Sequence, residues 1–463
     1  MLRRYIRIMK RKISNVLPLA ALTCCLLVVL AVSGQTGVTG RDASLQPGAD
    51  TAKMGWFGDA KLGIFIHYGI YAVNGIDESW SFHNKKVTWP AYMAQLKGFT
   101  ASKYDPEKWA ELIKSSGARY AVITTKHHDG VALWPTAQKH YDVVRNTPAK
   151  RDLLTPFFKA LEKNGIRKGA YFSLIDWSYP DYPGFLKDSS RYKLADDPNR
   201  WKRFSNFNQA QIKEISDRFN PDLFWFDGDW EHSADEWDAA GIRKNILTRN
   251  SQAIINSRLQ GYGDYETPEQ NTPVVRPKGK WWELCMTIND NWGFQPQDQN
   301  WKTPAEIISI FADAISSGGN LLLDIGPRED GTIPDQEVAV LKALGEWSGK
   351  HSEAIFGTVG GLQPGHYYGP STYSKDSSTL YLFLAGKPNG NIMIKGLKNA
   401  VKKVRVVGTA QTLPHKVVGK ISWSPVPGLV FISVPETVKD TYMSVLALEL
   451  DGPISLYGGK GGL

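Results

Sequence analysis

The sequence predicts an α/β protein: a (β/α)8-like, TIM-type barrel followed by a small antiparallel β-sandwich. Three observations carry this reading. Up to about residue 356, short apolar strands alternate with amphipathic helices, the pattern of a parallel sheet. Nearly every such strand ends in polar residues, as strands do at the catalytic face of a closed barrel. Beyond residue 357 the helical periodicity stops, and short alternating stretches between turn residues take over, as in a sandwich. The 463 residues suit a barrel of ordinary size plus one smaller domain. A G-x-G-x-x-G turn after a first strand, the mark of an open dinucleotide-binding sheet, is absent.

In chain order, the first element is a targeting segment. Arg3, Arg4, Arg7, Lys10, Arg11 and Lys12 form a basic head, no acid precedes Asp42, and an apolar run over 16–32 leads into Ser33-Gly34-Gln35. This is the layout of a secretory signal peptide cut after Gly34. It predicts a signal peptide over 1–34 and an exported protein, periplasmic or secreted. An uncleaved anchor is the second reading, and Cys24 and Cys25 within the apolar run keep a lipid anchor open. Residues 35–54 are small and polar and read as a disordered leader. The basic head accounts for most of the formal net charge of +9, so that charge does not indicate a nucleic-acid partner. Beyond the leader Cys285 is the only cysteine, so no internal disulfide forms and the core must carry stability. No stable membrane span is expected after cleavage.

The barrel is assigned to 55–356. Residues 61–69 form its first strand, which runs into His67. Asp105-Pro106-Glu107 starts a helix with an N-cap and a proline in the first turn, and Gly117 ends it. The strand over 120–125 leads into Lys126-His127-His128-Asp129-Gly130. A helix over 153–163 and a strand over 168–175 follow, the latter ending at Asp176-Trp177. Next come a helix over 206–219, a strand to Asp227, a short strand over 253–256 before Arg258, and a strand over 283–288. Thr303-Pro304-Ala305-Glu306 is a capping box. Its helix stops near Gly318-Gly319, before a strand over 320–325 and a helix over 338–347. Residues 357–378, rich in Gly, Pro, Ser and Tyr, read as a linker. The sandwich, 379–463, has strands near 380–384, 391–394, 401–407, 429–434 and 444–450, with a turn at Lys387-Pro388-Asn389-Gly390.

The chemistry centres on Pro221-Asp222-Leu223-Phe224-Trp225-Phe226-Asp227-Gly228-Asp229-Trp230-Glu231. Alternation puts Leu223, Trp225 and Asp227 on one face of a strand, and Phe224 and Phe226 on the other. An acid thus sits at a strand tip beside a tryptophan, an arrangement suited to an oxocarbenium-like centre in sugar chemistry. The same spacing also fits a residue that merely caps the following turn. His127-His128-Asp129 lacks the H-E-x-x-H spacing, and Cys285 is solitary, so a metal site is disfavoured. Neutral imidazoles donating hydrogen bonds to a hydroxylated ligand fit better, with structural histidines at a strand end as the alternative. A glycosidase needs a second carboxyl group with a different task. Asp229, Glu231, Glu266, Glu269 and Glu283 are candidates. Glu269 lies in a loop-like Glu266-Thr267-Pro268-Glu269-Gln270 segment and Glu283 follows Trp281-Trp282; spacing alone does not choose between them.

Several stretches taken together resemble the α-L-fucosidases of glycoside hydrolase family 29. They are 63–69, 126–130, Tyr171-Phe172-Ser173, Trp225-Phe226-Asp227-Gly228, 319–327 and Asp330-Gly331-Thr332-Ile333-Pro334, and they span about residues 55–358. The resemblance implies a catalytic barrel followed by a β-sandwich. It implies an exo-acting, retaining α-L-fucosidase that releases L-fucose from fucosylated oligosaccharides or glycoconjugates by double displacement, with no metal or other cofactor. By motif, Asp227 is the nucleophile. Glu269, in the Thr-Pro-Glu position, is the favoured acid/base, and Glu283, in the Trp-Glu position, is the alternative. His67, His127, His128, Tyr171 and Arg258 match residues that hold the sugar. Glu78 and Trp80 match a segment at the pocket edge, and Trp225 and Trp292 match the wall that receives the C5 methyl. The family often has a second tyrosine where Phe172 stands, but alternation turns Phe172 away from Tyr171. Two other readings stay open: a glycosidase for an α-galactoside, and a secreted fucose-binding protein without catalysis. Linkage, aglycone and oligomeric state are not encoded in any motif.

Overall fold

The structure is a computed structural model that describes residues 52–460 apart from 278 and 387–389. The signal peptide, nearly all of the leader and most of the turn at 387–390 lie outside the described residues. No helix among the described residues is long and apolar enough to cross a membrane.

Seven strands of the first part are parallel: β1 Leu62–Ile66, β2 Tyr120–Lys126, β3 Arg167–Ser173, β4 Leu223–Asp227, β5 Ile254–Ile255, β6 Glu283–Thr287 and β7 Asn320–Ile325. Their order, β5-β4-β3-β2-β1-β7-β6, leaves β5 and β6 as the ends of a curled sheet. The regular ladder is therefore not a full ring of eight. The gap is closed by the irregular stretch Tyr265 to Glu269. Tyr265 bridges Asn256, Glu266 bridges Trp282 and Glu269 bridges Cys285, all in parallel sense. Cys285 N donates to Pro268 O at 3.1 Å and Gln270 N to Cys285 O at 2.9 Å. This closing strand has no apolar run to announce it, and Pro268 cannot donate to a ladder. Gly263 lets it approach β5, because a Cβ there would lie 2.0 Å from Asn256 O.

The alternation expected for β4 holds on both sides of the sheet. Leu223 and Trp225 join Phe57, Phe65, Tyr120, Tyr171 and Cys285 in the core inside the barrel. Phe224 and Phe226 belong to the larger core between sheet and helices, as does Phe172. The helices form where caps and apolar stripes coincide. Asp105 caps Pro106–Ser115 by accepting from Lys108 N. Thr303 and Glu306 form the complete capping box of Pro304–Ser316; each such cap is worth about 1 kcal/mol.

Three boundaries differ from expectation. The leader does not extend to residue 54: Met54 is buried in the inner core, and Lys53 pairs with Asp264 at 2.9 Å, because these residues plug the barrel floor. The helix expected over 206–219 is Pro198–Phe219, capped by Asp197. Its first turns are polar and carry little apolar periodicity. Residues 357–378, expected as a linker, contribute two strands, β8 Val359–Gly360 and β9 Ser371–Tyr373, to a five-stranded sheet. Both are too short to alternate visibly.

The remaining strands are β10 Thr379–Leu384, β11 Gly390–Ile394, β12 Val401–Val406, β13 His415–Val418, β14 Leu429–Val434 and β15 Ser444–Leu450. They form antiparallel sheets ordered β12-β15-β10-β9-β8 and β11-β14-β13. Leu380, Leu382, Val404, Ile432 and Leu446 fill the space between the sheets. The other face of the larger sheet docks on the barrel: Trp347 donates its indole N–H to Met443 O at 2.8 Å and packs against Phe383.

Candidate active site

A cavity of about 200 Å3 opens at the C-terminal tips of the barrel strands. That is small for a ligand pocket and suits a single sugar ring. It brings together His67, Glu78, Trp80, His127, Tyr171, Trp225, Asp227, Arg258, Glu269 and Trp292 from distant parts of the chain. A larger groove of about 530 Å3 lies on the barrel flank between helices Pro198–Phe219 and Ala239–Arg249. Its one carboxylate, Asp217, is tied to Lys213 and Arg249, so it holds no acid/base pair.

Asp227 ends β4, and Gly228, at φ 80°, turns the chain away at once. Asn256 holds that tip by accepting from Phe226 N at 2.8 Å and donating to Phe226 O at 2.9 Å. The carboxylate itself is gripped from two sides. The Tyr171 hydroxyl donates to Oδ2 at 2.9 Å, and Arg258 Nη1 donates to Oδ1 at 3.1 Å. Arg258 then reaches Glu269 Oε2 through Nη2 at 2.6 Å, and Thr267 Oγ1 steadies its Nε at 3.0 Å. One guanidinium therefore joins the two carboxylates across the mouth of the cavity. Burial disfavours the charge on Arg258, but the carboxylates of Asp227 and Glu269 hold it charged, above the ordinary arginine range. The guanidinium lies 4.6 Å above the Trp225 ring, a cation–π seat.

Glu283 is elsewhere. It begins β6, at the floor, is 0% exposed and does not line the cavity. Its Oε2 accepts from the Tyr120 hydroxyl and its Oε1 from the Trp225 indole N–H at 3.1 Å. Burial raises its pKa to about 7, against the pull of those two donors. Another buried acid, Glu78, does line the cavity. It accepts from Gly293 N, and burial raises it to about 7.

The three histidines are neutral. Burial, then His127, pushes His67 well below its usual value; burial, then His128, does the same to His127. Burial lowers His128 to about 3. Each is oriented from behind: His67 Nδ1 by Asp324 Oδ1 at 2.7 Å, His127 Nδ1 by Ser79, His128 Nδ1 by Ser173 Oγ at 2.6 Å. Ser173 spends its own proton on Ile175 O at 2.7 Å. It must therefore accept from His128 Nδ1–H, which leaves a lone pair on Nε2. Nε2 lies 3.7 Å from Asp227 Oδ2. His128 thus presents an acceptor, not the donor expected from sequence, and it stands behind Asp227 instead of in the cavity lining. Among the described residues no group of three or more His, Cys, Asp or Glu side chains could hold a metal ion.

Phe65 and Trp230 also line the cavity, though no motif assigns either a role. Phe65 sits two residues before His67 on β1, so alternation alone places both on the inner face. Trp230, 50% exposed, stacks on Trp80 with centroids 6.2 Å apart and lies near the end of the Pro221–Glu231 strand-tip stretch. Asn256, Thr267, Ser173 and Asp324 act through contacts across strands, which no local pattern reveals.

Comparison with known proteins agrees with this geometry. Residues 40–353 match the family model described as alpha-L-fucosidase. Human tissue alpha-L-fucosidase is 29% identical over 416 residues, covering 82% of this chain and 85% of the human protein. The mouse tissue enzyme is 30% identical, covering 82% and 87%. Among solved structures, alpha-L-fucosidase isoenzyme 1 from Paenibacillus thiaminolyticus superposes with a TM-score of 0.78 at 28% identity, covering 86% of this chain and 99% of that one. A family 29 alpha-L-fucosidase from Bacteroides thetaiotaomicron gives 0.78 at 30% identity, covering 87% and 96%. The Bacteroides enzyme was also trapped as a covalent intermediate with 2-fluoro-fucosyl fluoride, using a glutamate-to-glutamine mutant. With two thirds of its length matched by the family model and its fold shared with these enzymes, the chain belongs to the α-L-fucosidase family, glycoside hydrolase family 29.

Proposed function

We propose that this protein releases L-fucose from α-L-fucosides with net retention, with Asp227 as nucleophile and Glu269 as acid/base. The observation that carries the assignment is the Arg258 bridge, which joins Asp227 and Glu269 at the cavity mouth while Glu283 stays buried beneath Trp225. A fucosyl ring enters the single-ring cavity, and neutral imidazoles and Tyr171 engage its hydroxyls. Asp227 attacks C1 as Glu269 protonates the departing oxygen. The fucosyl–Asp227 ester is then hydrolysed by a water that Glu269 deprotonates. Two carboxylates held by one guanidinium are near neighbours, which supports the short separation of a retaining pair. The trapped covalent intermediate of the Bacteroides relative supports the same sequence of steps. An intact Asp227 and Glu269 pair argues against a binding-only protein.

The test uses an aryl fucoside whose leaving group needs no proton. In Glu269→Ala the first step survives and the second slows, by roughly 10²- to 10⁴-fold for loss of a general base. Added azide, which needs no base, should restore turnover and yield fucosyl azide of retained configuration. Glu283→Ala should show no azide rescue. Retained azide product from Glu283→Ala, and none from Glu269→Ala, would reverse the assignment.

A further inference from the structure

Glu283 is left with no part in the chemistry, yet a buried carboxyl is a costly way to fill a barrel floor. The inner core that holds its partners Tyr120 and Trp225 is otherwise mainly apolar, with Phe57, Leu223 and Leu322 among its members, so an acid there is desolvated at a cost. What Glu283 does have is the indole N–H of Trp225. The Trp225 ring lines the cavity, lies between Phe65 (5.0 Å) and Tyr171 (5.6 Å), and carries Arg258 on its face. An indole has one polar atom, and turning the ring over moves that atom from one side to the other. A hydrogen-bond acceptor on the floor side selects the orientation in which the cavity meets carbon only.

We propose that Glu283 is a specificity-determining positioning residue: by accepting the Trp225 N–H from below, it keeps the sugar-facing wall free of donors and sets the preference for a C5 methyl over a C5 hydroxymethyl group. This rests on the fucosidase reading above. L-Fucose and L-galactose differ only by the hydroxyl on C6. An apolar pocket rejects an added hydroxyl weakly, by about 10²-fold, so one free donor in the wall is enough to remove much of the difference. The Tyr120 hydroxyl, bonded to the other oxygen of Glu283, completes the acceptor's surroundings without touching the wall.

The experiment compares kcat/KM for 4-nitrophenyl α-L-fucoside and α-L-galactoside, and Kd for free L-fucose and L-galactose, in wild type and four variants. Binding of the free sugars needs no turnover, so it reads the wall even if the catalytic assignment fails; absence of fucoside hydrolysis by wild type would sink that assignment alone. Glu283→Met, close in volume but without an acceptor, should lower the fucose-to-galactose ratio about tenfold in both measurements. Glu283→Gln keeps an acceptor and should hold the ratio within about twofold of wild type. Tyr120→Phe removes the other hydrogen bond and should also leave the ratio unchanged, whatever it does to the melting temperature. Glu283→Asp draws the acceptor back by one methylene and should lower the ratio as well, which decides the matter if Glu283→Met does not fold. An unchanged ratio in a folded Glu283→Met or Glu283→Asp variant overturns the proposal. So does a ratio that falls equally in Tyr120→Phe, which would mark a general loosening of the floor.

Discussion

The mouth and the floor of the barrel hold the same kind of side chain to opposite ends. Glu269 on the closing strand is level with Cys285 of β6, and Glu283 lies two residues lower, a rise of about 7 Å. At the mouth the carboxylate side chain is 40% exposed and meets a guanidinium. At the floor the carboxyl is fully buried and meets only neutral donors. The mouth is open to water and to a ligand; the floor is sealed beneath Trp225. Depth along a strand, more than residue type, separates chemistry from architecture in this barrel.

The largest expected effect tests the mouth. Asp227→Gly should lower kcat by roughly 10⁴-fold or more, since nucleophile deletions remove a group that acts as a unit with its neighbours. Its melting temperature should stay near wild type, because the side chain sits at a strand tip and not in a core. External azide should restore turnover and give fucosyl azide of inverted configuration. A variant that keeps more than about a tenth of wild-type turnover without azide would mean that another group attacks C1.

The next effect falls below the mouth and should reverse the pattern. Asp264 joins Lys53 (2.9 Å) and Arg243 (2.7 Å), and it accepts from Ile255 N at 2.9 Å. It thereby pins the segment before the first helix, helix Ala239–Arg249 and β5 to the start of the closing strand. Asp264→Ala leaves two buried cations without this partner and should destabilise by about 3–5 kcal/mol. Chemical denaturation should show the loss while kcat/KM of the folded protein stays within a few-fold. A large fall in kcat/KM with unchanged stability would show that the closing strand transmits position to Glu269.

The same contrast explains which features were legible in the sequence. The faces of β4 and the caps of Asp105 and Thr303 depend on residues two to four apart, and each stands where that local spacing puts it. The closing strand was not legible: Gly261, Gly263 and Pro268 interrupt any pattern, and it becomes a strand only because β5 and β6 leave a gap. Which of Glu269 and Glu283 faces the cavity was half legible. A strand expected over 283–288 already puts Glu283 at its head, the floor end in a βα barrel. The Thr-Pro-Glu segment gave no such cue, since its height depends on the register of Glu269 with Cys285. Likewise, His127-His128 marked a site, but the acceptor character of His128 follows from Ser173, 45 residues away.

The smallest effect concerns an acid buried behind the barrel wall. Glu337, in helix Asp335–Lys350, accepts from Gly326 N at 3.1 Å just beyond β7, and its Oε2 has no hydrogen-bond partner. Burial raises its pKa to about 8 from an ordinary 4.5, against the pull of Gly326 N–H and Arg328. In the unfolded chain the group releases its proton near pH 4.5; in the folded chain it keeps the proton until about pH 8. Between these values the native state binds more protons, so stability falls as pH rises. The contribution is full below about 4.5 and gone above about 8. Glu337→Gln cannot ionise and should lack this slope. Whatever constant offset the amide introduces, the stability of the variant relative to wild type should grow from pH 5 to pH 8 and then level off. Local relaxation and water entry reduce the gain to roughly 1–2 kcal/mol. Denaturation curves at pH 5, 7 and 9 measure it, with Glu283→Gln as a parallel whose gain should level off near pH 7. A difference that stays flat across this range would mean that Glu337 is already ionised in the folded protein, and that burial at the back of β7 is less complete in solution than the packing of Gly326 against Glu337 implies.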